Sequence, residues 1–448
     1  MVPVNQRIRR RGIYAAVRQH VFRLRPMRKH FGRVLWYVII LIFNAPARGF
    51  ELWSNDIGYM DLRISSKWTS LLSKAPDDSI IYPESWSAAN LWRLRGEITG
   101  RPRSFLAVGL AYEQTMRFLS GDAKNQRGVG DLYSGATIPF RIRSGDKSLV
   151  RIDDTFEYRH ELDRAYMVLN LGPSECTVGR QSFGMGRGTV FTAVDIFIPF
   201  SPTEYDREWR RGIDACRVNV PVSNSFSVDL VAALGQDSDS SAICARLKGF
   251  IGVIDTEFIF ARRFKDTMVA AVSSFPVLDA EVHSELSLFN TSEDLLDDSV
   301  LGDERLAVKA VIGGSYTFDY RAGIMASVEY LYSDFGLKRI EDLSGYLEND
   351  MFLARLRQGD LQTLGRHSGM ARVSYGFGTE QPVTLSWIFS ASDGSGLFMP
   401  AVNWSFSDEI SINAYGYISL GSEPENGILT SEYGGTPTTG LLQLSFYI

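Results

Sequence analysis

The chain has 448 residues, of which 45% are hydrophobic and 22% charged, a composition that excludes a disordered or collagen-like protein. Its mean hydropathy of -0.07 is too polar for a bundle of membrane helices, each of which needs about 20 apolar residues. A formal net charge of -5, with 12% aromatic residues and 40 glycines, leaves two main classes: a large soluble β protein or a transmembrane β-barrel.

Residues 1–47 have the pattern of a secretory signal peptide. A basic segment (27–33) precedes an apolar run (34–43), and Ala45-Pro46-Ala47 forms a small-residue cleavage site. The run is too short for a spanning helix, although a membrane anchor or a buried helix stays open as the alternative. We predict cleavage after Ala47, and the sequence leaves open whether translation starts at Met1 or Met27.

Cleavage changes the charge of the protein. Residues 1–47 hold ten of the 47 Lys and Arg residues and none of the 52 Asp and Glu residues, so residues 48–448 carry 37 basic and 52 acidic groups, a net charge of -15. Because nucleic-acid binding depends on phosphate neutralisation, we expect no nucleic-acid partner. Cys176, Cys216 and Cys244 include no CxxC pair, and whether any disulfide forms stays open.

Alternation of apolar and polar residues recurs throughout residues 48–448. Soluble strands usually have five or six residues, whereas a tilted membrane strand needs about 9–11, which is close to the length of most of these segments. The pattern predicts a single all-β domain, a transmembrane antiparallel up-and-down β-barrel of about 18 strands, with 16 as the alternative. The predicted strands lie near residues 57–66, 88–98, 104–116, 160–171, 175–182, 213–220, 225–234, 242–249, 254–263, 267–275, 280–289, 305–317, 321–332, 367–377, 382–390, 397–406, 409–419 and 439–448.

The predicted connections alternate between short turns and long polar loops, as in bacterial outer-membrane barrels. The sequence therefore predicts an outer-membrane protein with both chain ends on the periplasmic side. The predicted long loops are 67–87, 117–158, 183–212, 290–304, 333–366 and 421–438.

A spanning barrel presents its apolar face to lipid, so its charged residues alternate on the inside. A barrel of 16–18 strands leaves an aqueous channel. We predict that the channel is lined by Arg93, Arg95, Glu97, Glu281, His283, Glu285 and Arg372.

The loop 183–212 is the strongest functional candidate. Its middle contains Phe191, Ile196, Phe197 and Phe200, an apolar set that is unfavourable in water. Folding into the barrel would bury these groups and narrow the channel, and opposed charges would then filter solutes. The alternative is a structural plug whose ion pairs only hold the loop. The predicted constriction residues are Arg180, Arg187, Asp195, Asp206, Arg207, Glu208, Arg210, Arg211 and Asp214.

Two segments resemble known outer-membrane proteins. The end of the chain, with Leu442, Leu444 and Phe446 at alternate positions, resembles the C-terminal signature of bacterial outer-membrane proteins, but ends in Ile448 instead of an aromatic residue. This resemblance implies recognition by the barrel-assembly machinery. Residues 178–202, which include Gly179-Arg-Gln181, resemble a "GRQ…WGxG…D.F.P" stretch of porin-like barrels related to alginate-export and substrate-selective porins, with Phe183-Gly184 where Trp-Gly is usual.

Motifs of catalysis and cofactor binding are weak. After cleavage, only His160, His283 and His367 remain, and no spacing links them to a nucleophile. His160-Glu-Leu-Asp163 lacks the second histidine of a zinc HExxH motif, and Gly184–Gly188 lacks the Lys-Ser/Thr of a phosphate loop. We expect no enzyme activity, no metal and no cofactor.

The sequence therefore predicts a porin-like channel for small polar solutes. The alternatives are a non-conducting barrel with a structural, adhesive or export-partner role and, more weakly, a hydrolase at the outer rim. Expected partners are outer-membrane lipid and lipopolysaccharide. The acidic loops 290–304 and 333–366 have two interpretations: divalent cations bridge them to lipopolysaccharide, or, as we favour, they are only a solvated loop surface.

Overall fold

The computed structural model describes residues 49–77, 79, 85–120, 138–143, 146–152, 155–320, 323–346, 349–376 and 382–448. The predicted signal peptide lies outside these residues. Within the described ranges, no helix is long and apolar enough to cross a membrane.

The described residues form an antiparallel sheet that closes on itself. β2 pairs with β20, from Ser65 opposite Tyr447 to Lys74 opposite Thr438, and thereby closes the barrel. In this part of the chain eighteen strands form the wall, with β1 and β5 as additional strands beside β2 and β6, so the predicted count is confirmed and the alternative of sixteen is wrong. The strands are β1 (Phe50–Asn55), β2 (Gly58–Lys74), β3 (Trp86–Arg103), β4 (Leu106–Leu119), β5 (Asp146–Ile152), β6 (Phe156–Leu171), β7 (Ser174–Gln181), β8 (Ile213–Pro221), β9 (Phe226–Ala233), β10 (Ala242–Ile251), β11 (Ile254–Arg263), β12 (Asp266–Val277), β13 (Ala280–Asn290), β14 (Leu306–Phe318), β15 (Ile324–Ser333), β16 (His367–Gly376), β17 (Pro382–Ser390), β18 (Gly396–Ser405), β19 (Ile410–Leu420) and β20 (Thr438–Tyr447).

The two faces of the wall differ in exposure as a lipid-facing barrel requires. In β11, Phe258 and Phe260 are 51% and 58% exposed, whereas Ile259 and Ala261, which point inward, are 3% and 1% exposed. Successive side chains of a strand point to opposite faces, so this alternation assigns each residue to the lumen or to the outside. Many large apolar side chains of the wall strands are exposed in this way, such as Leu286 of β13 at 55% and Val328 of β15 at 60%.

The strands of the wall are short where the loop 182–212 leaves it. β7 and β8 have eight and nine residues, against 16 in β6. β7 pairs with β6 from Ala165 to Leu171, and β5 pairs with the same edge of β6 from Phe156 to Glu161. β5 is therefore an additional strand beside β6, in line with β7, so the prediction of a loop over 117–158 is wrong.

Two other long loops contain more regular structure than predicted. β2 continues to Lys74 and β3 begins at Trp86, so ten of the 21 residues of the predicted loop 67–87 lie in strands. The predicted loop 333–366 contains a 3-10 turn (Ile340–Asp342), a short helix α1 (Leu343–Tyr346) and a helix α2 (Asp350–Gln358).

Local interactions favour α2 at that position. The Asn349 side chain accepts the backbone N–H of Phe352 at 3.1 Å, as an N-cap does. Asp350 lies in the first turn and Arg355 and Arg357 in the last, which complements the helix dipole.

Candidate channel constriction

Two buried carboxylates of the wall hold the first half of the loop 182–212, which we call the crossing loop. Glu285 of β13 and Glu329 of β15 are 1% and 4% exposed. Glu285 accepts three backbone N–H groups of residues 187–193, at 2.5, 2.8 and 2.6 Å, and one threonine hydroxyl at 3.0 Å. Glu329 accepts the N–H groups of residues 189–191, two of them at 2.9 and 3.1 Å. The loop's backbone donors are thus paired with carboxylates instead of water.

The second half of the loop is bound to another part of the wall. Asp206 accepts hydrogen bonds from Lys67 of β2 at 2.8 and 2.9 Å and lies 3.4 Å from the side-chain nitrogen of Gln443 of β20. The Tyr447 hydroxyl donates to Glu208 at 2.8 Å. These contacts attach the loop where the barrel closes.

The two attachment sites lie on opposite sides of the barrel. Counted along the wall, β2 and β13 are ten strands apart in one direction and eight in the other. A loop bound at both must cross the lumen. Its apolar middle is buried during this crossing: Phe191, Ile196 and Phe197 are 1%, 1% and 2% exposed.

Aromatic contacts pack the crossing loop against itself and its surroundings. The ring of Phe197 contacts Phe183 at a centroid distance of 5.1 Å and Phe140 at 5.5 Å, both edge-on. Phe183 also lies against the guanidinium groups of Arg217 and Arg246, at 5.3 and 5.5 Å. Cation–π contacts of this kind let an apolar ring pack beside the charged wall.

The predicted constriction residues of the loop are mostly paired. Arg207 donates to the backbone carbonyl groups of Thr189 and Ser201, at 2.7 and 2.9 Å. Arg210 pairs with Asp195, whose side chain is fully buried, and with a loop carbonyl at 2.6 Å. These arginines therefore hold the fold of the loop.

Three other side chains of the predicted set are more exposed, and a fourth is nearly buried. Arg211 pairs with Glu161 at 2.6 Å, and its side chain is 37% exposed. Arg187, at 39%, pairs with Asp255 of β11, and Glu208, at 40%, lies 2.6 Å from Lys67. Asp206, which also pairs with Lys67, is nearly buried at 6%.

The structure places Arg180 and Asp214 apart from the other predicted constriction residues. The Arg180 guanidinium donates two hydrogen bonds to the Asp214 carboxylate, at 2.7 and 2.9 Å. By the register of β7 and β8, both residues lie on the same face of the sheet as Val178, which is 41% exposed on the outside of the barrel. Arg180 also donates to the carbonyl group of Leu162 at 2.8 Å. The pair joins β7 to β8 at the ends of these strands next to the crossing loop.

The predicted lumen-facing residues share the inward face of their strands. Arg95 is 2.7 Å from Asp163 and 3.6 Å from Glu97, and Arg93 lies 3.6 Å from Asp206. On the opposite wall, the imidazole of His283 contacts Glu329 at 3.2 Å, Glu281 accepts from Ser274 at 2.8 Å, and Arg372 donates to Ser386 at 3.0 Å.

Trp209 is a site residue that the sequence analysis missed. Its ring lies under the ammonium group of Lys67 at 4.0 Å and under the guanidinium groups of Arg95 and Arg93 at 5.0 and 5.9 Å. Three cations from β2 and β3 therefore converge on one aromatic side chain of the crossing loop. An aromatic residue within the run 206–211 is the signal that could have indicated this contact.

A second loop packs on the crossing loop from the outer side. The backbone N–H of Thr192 donates to Gln362 at 3.0 Å, and Arg263 donates to the carbonyl groups of Ile196 and Gln358 at 3.2 and 3.3 Å. Arg263 also pairs with Asp360. Burial disfavours ionisation of Asp360, but the adjacent arginines outweigh burial and lower the pKa of this carboxyl.

A cavity of about 250 Å³ remains between the crossing loop and α2. It is lined by apolar side chains such as Phe197, Phe200 and Leu356 and by Arg210 and Arg211. The packing of the two loops therefore leaves space beside the constriction.

The outer loops also meet at a buried acid. Glu432, which is 7% exposed, accepts the backbone N–H groups of Leu364 at 2.7 Å and Gly365 at 3.1 Å. Burial raises the pKa of Glu432 to about 7, and the nearby Asp393 acts in the same direction. The contact joins the loop 421–437 to the segment that follows α2.

The histidines at the outer ends of strands face outward. His160 bonds to the hydroxyl group of Tyr112, and His367 to that of Tyr330 at 2.5 Å. Both tyrosines are exposed on the outside, at 39% and 40%. These contacts give neither histidine a serine or aspartate partner of the kind a hydrolase needs. Within the described ranges, no group of three or more His, Cys, Asp or Glu side chains could hold a metal ion.

Comparison with known proteins identifies the fold. No protein-family model and no characterised protein matches the sequence. Acinetobacter baumannii OccAB1 aligns with a TM-score of 0.52 and 10% identity, over 87% of this chain and 96% of its own. Salmonella typhi OmpF in complex with daunomycin aligns with a TM-score of 0.42 and 9% identity, over 89% of this chain and 100% of its own. A triple mutant of the Rhodopseudomonas blastica porin aligns with a TM-score of 0.42 and 8% identity, over 87% of this chain and 100% of its own.

The fold is that of a porin-like outer-membrane barrel. This assignment depends on OccAB1, because the other two TM-scores are below 0.5. With its closed wall and apolar outer face, the chain is a bacterial outer-membrane protein.

Proposed function

We propose that this protein is a diffusion channel for small polar solutes, with the crossing loop as its constriction. The observation that carries the proposal is the attachment of the loop to β13 and β15 on one side and to β2 and β20 on the other. A barrel of this strand count is wide enough to hold water unless something fills it. The loop therefore narrows a lumen that its wall alone would leave open.

The charges beside the loop would select solutes. The side chains of Arg187, Arg211 and Glu208 are each more than a third exposed. Arg187 lies beside Asp255 of β11, whereas Glu208 lies beside Lys67 of β2, so charges of both signs flank the loop where it crosses the lumen. Opposed charges at a narrow passage set the preference for ions and for polar solutes. Outer-membrane lipid and lipopolysaccharide would surround the barrel, and the alternating β20 would be recognised by the barrel-assembly machinery.

The second candidate is a non-conducting structural barrel. The packing of the loop 334–366 on the crossing loop favours this candidate. The hydrogen bond from Thr192 to Gln362 joins the two loops, and together they fill more of the lumen than the crossing loop alone. In this case the ion pairs of the crossing loop would only hold a plug. The cavity beside Arg210 favours the channel instead.

Single-channel recording of the purified full chain in planar bilayers distinguishes the two candidates. The proposal predicts stepwise conductance, and swelling of proteoliposomes in small neutral sugars. Preparations that insert, migrate as heat-modifiable barrels and yet give neither conductance nor swelling would support the structural barrel and overturn the channel.

A further inference from the structure

Two of the three cysteines lie next to each other on the outer face of the barrel. Cys176 of β7 pairs in register with Val218 of β8, and Cys216 of β8 pairs with Val178 of β7. The cysteines are therefore diagonal neighbours on one face, and Val178, at 41% exposure, shows that this face is the outer one. Cys216 is exposed and Cys176 half-buried.

The two thiols are close enough to interact with each other. Cys244 is in a different environment: it is buried and points into the barrel, where its sulfur lies 3.8 Å from that of Met185. The wall of the barrel separates Cys244 from the other two. Of the three pairings that three cysteines allow, the structure brings together only Cys176 and Cys216.

The position of the pair favours oxidation. Cys176 lies two residues after the start of β7 at Ser174, close to the short turn that joins β6 to β7, and Cys216 lies diagonally opposite it on β8. In porin topology the short turns face the periplasm, a compartment in which disulfides form and persist.

We propose that Cys176 and Cys216 form a disulfide across β7 and β8, made by exchange with a periplasmic dithiol oxidase. The thiolate of one cysteine attacks the oxidase disulfide, forms a mixed disulfide and releases one oxidase thiolate. The second cysteine, as its thiolate, then attacks the mixed disulfide and releases the other oxidase thiolate. The two cysteines lose two protons and two electrons, and the oxidase leaves as a dithiol.

The bond closes a covalent ring that contains residues 177–215, and therefore the whole crossing loop. β7 and β8 are the short strands from which this loop leaves and to which it returns. A cross-link between them would limit separation of the two strands in the unfolded chain and stabilise the folded barrel. This inference does not depend on whether the barrel conducts.

Thiol counting on the full chain tests the proposal. Outer membranes are quenched in acid, denatured in detergent and treated with a maleimide polymer that adds one gel-shift step per free thiol, with and without prior reduction. We expect one step for the unreduced parent, from Cys244, and three after reduction. Cys244→Ser should give no step before reduction, whereas Cys176→Ser and Cys216→Ser should each give two steps under both conditions.

Three steps from the freshly quenched, unreduced parent would overturn the proposal. A reducible dimer that disappears in Cys176→Ser would also overturn it, because the bond would then join two copies. If a serine variant fails to insert, peptide mapping of the unreduced parent decides alone: the peptides of Cys176 and Cys216 are either linked or separate. Reduction should also lower the temperature at which the parent loses its heat-modifiable form, and should not change that of the double serine variant.

Discussion

The wall carboxylates Glu285 and Glu329 offer the sharpest test of how the crossing loop is held. Together they accept seven hydrogen bonds from the loop, four at Glu285 and three at Glu329. Replacing each by glutamine keeps the shape of the side chain and removes the charge. We expect the loop to leave its docked position more often, and the conductance to rise and become noisier.

The magnitude follows from the geometry. At Glu285, the backbone donors of Arg187 and Gly188 share one carboxylate oxygen, and Ala193 and the Thr192 hydroxyl share the other. Glutamine offers one carbonyl oxygen, so two of these donors would face an NH2 group. Hydrogen bonds to a charged group contribute about 1.5–3 kcal/mol each, so losing two costs at least about 3 kcal/mol, or roughly a hundredfold in the docked-to-undocked ratio.

Planar-bilayer recording of Glu285→Gln and Glu329→Gln checks this expectation, with Glu281→Gln as the matched control. Glu281 lies on the same strand as Glu285 and on the same inward face, but it is exposed and bonds Ser274 instead of the loop. The control should therefore conduct like the parent. If the inserted double variant gives the same conductance and noise as the control, the carboxylates do not hold the loop and the reasoning fails.

Three further predictions concern selectivity, pH and topology. Arg211→Gln should shift ion selectivity towards cations and Glu208→Gln towards anions, measured as reversal potentials in a salt gradient; equal shifts in one direction would contradict the assignment of these charges to the passage. Burial raises the pKa of Glu432 from the ordinary value of 4.5 to about 7. The contact between the loop 421–437 and the segment after α2 should therefore be fully stable below pH 4.5 and weaken as the pH rises towards 7. Limited proteolysis of the outer loops should thus be faster at about pH 8 than at about pH 5, and Glu432→Gln should lose this dependence. An epitope tag at Glu425 should be accessible on intact cells, and a tag within 222–225 should not. Labelling of the second tag would show that the barrel has the opposite orientation in the membrane.

Strand faces could be predicted from the sequence because alternation is a local property of the extended backbone. In β20, the alternation predicts that Leu442, Leu444 and Phe446 share the lipid-facing side. Leu442 is 53% exposed, while Leu441 and Gln443 are 4% and 2% exposed. Strand ends were harder to predict. The polar residues around Lys67 predict a loop, yet β2 continues to Lys74 with Lys67 and Thr69 facing inward. A polar lumen face and a polar loop have the same composition.

The partners of the crossing loop could not be predicted in the same way. Glu329 contacts the backbone of residues 189–191, about 140 positions away in the chain, and no local pattern encodes such a contact. Arg180 and Asp214 show the converse. Their place beside the loop suggested a channel role, but the strand parity turns both to the outer side, where they bind each other.

Deletion of Thr189–Pro202 tests the central claim most directly. The guanidinium group of Arg207 contacts the carbonyl oxygens of both Thr189 and Pro202, so the ends of the deleted segment lie close together and can be rejoined. With heat-modifiable migration as the check on folding, single-channel conductance in planar bilayers is compared with that of the parent. A crossing loop that narrows the lumen predicts a several-fold rise in conductance, whereas an inserted deletion variant that conducts no better than the parent would contradict the account.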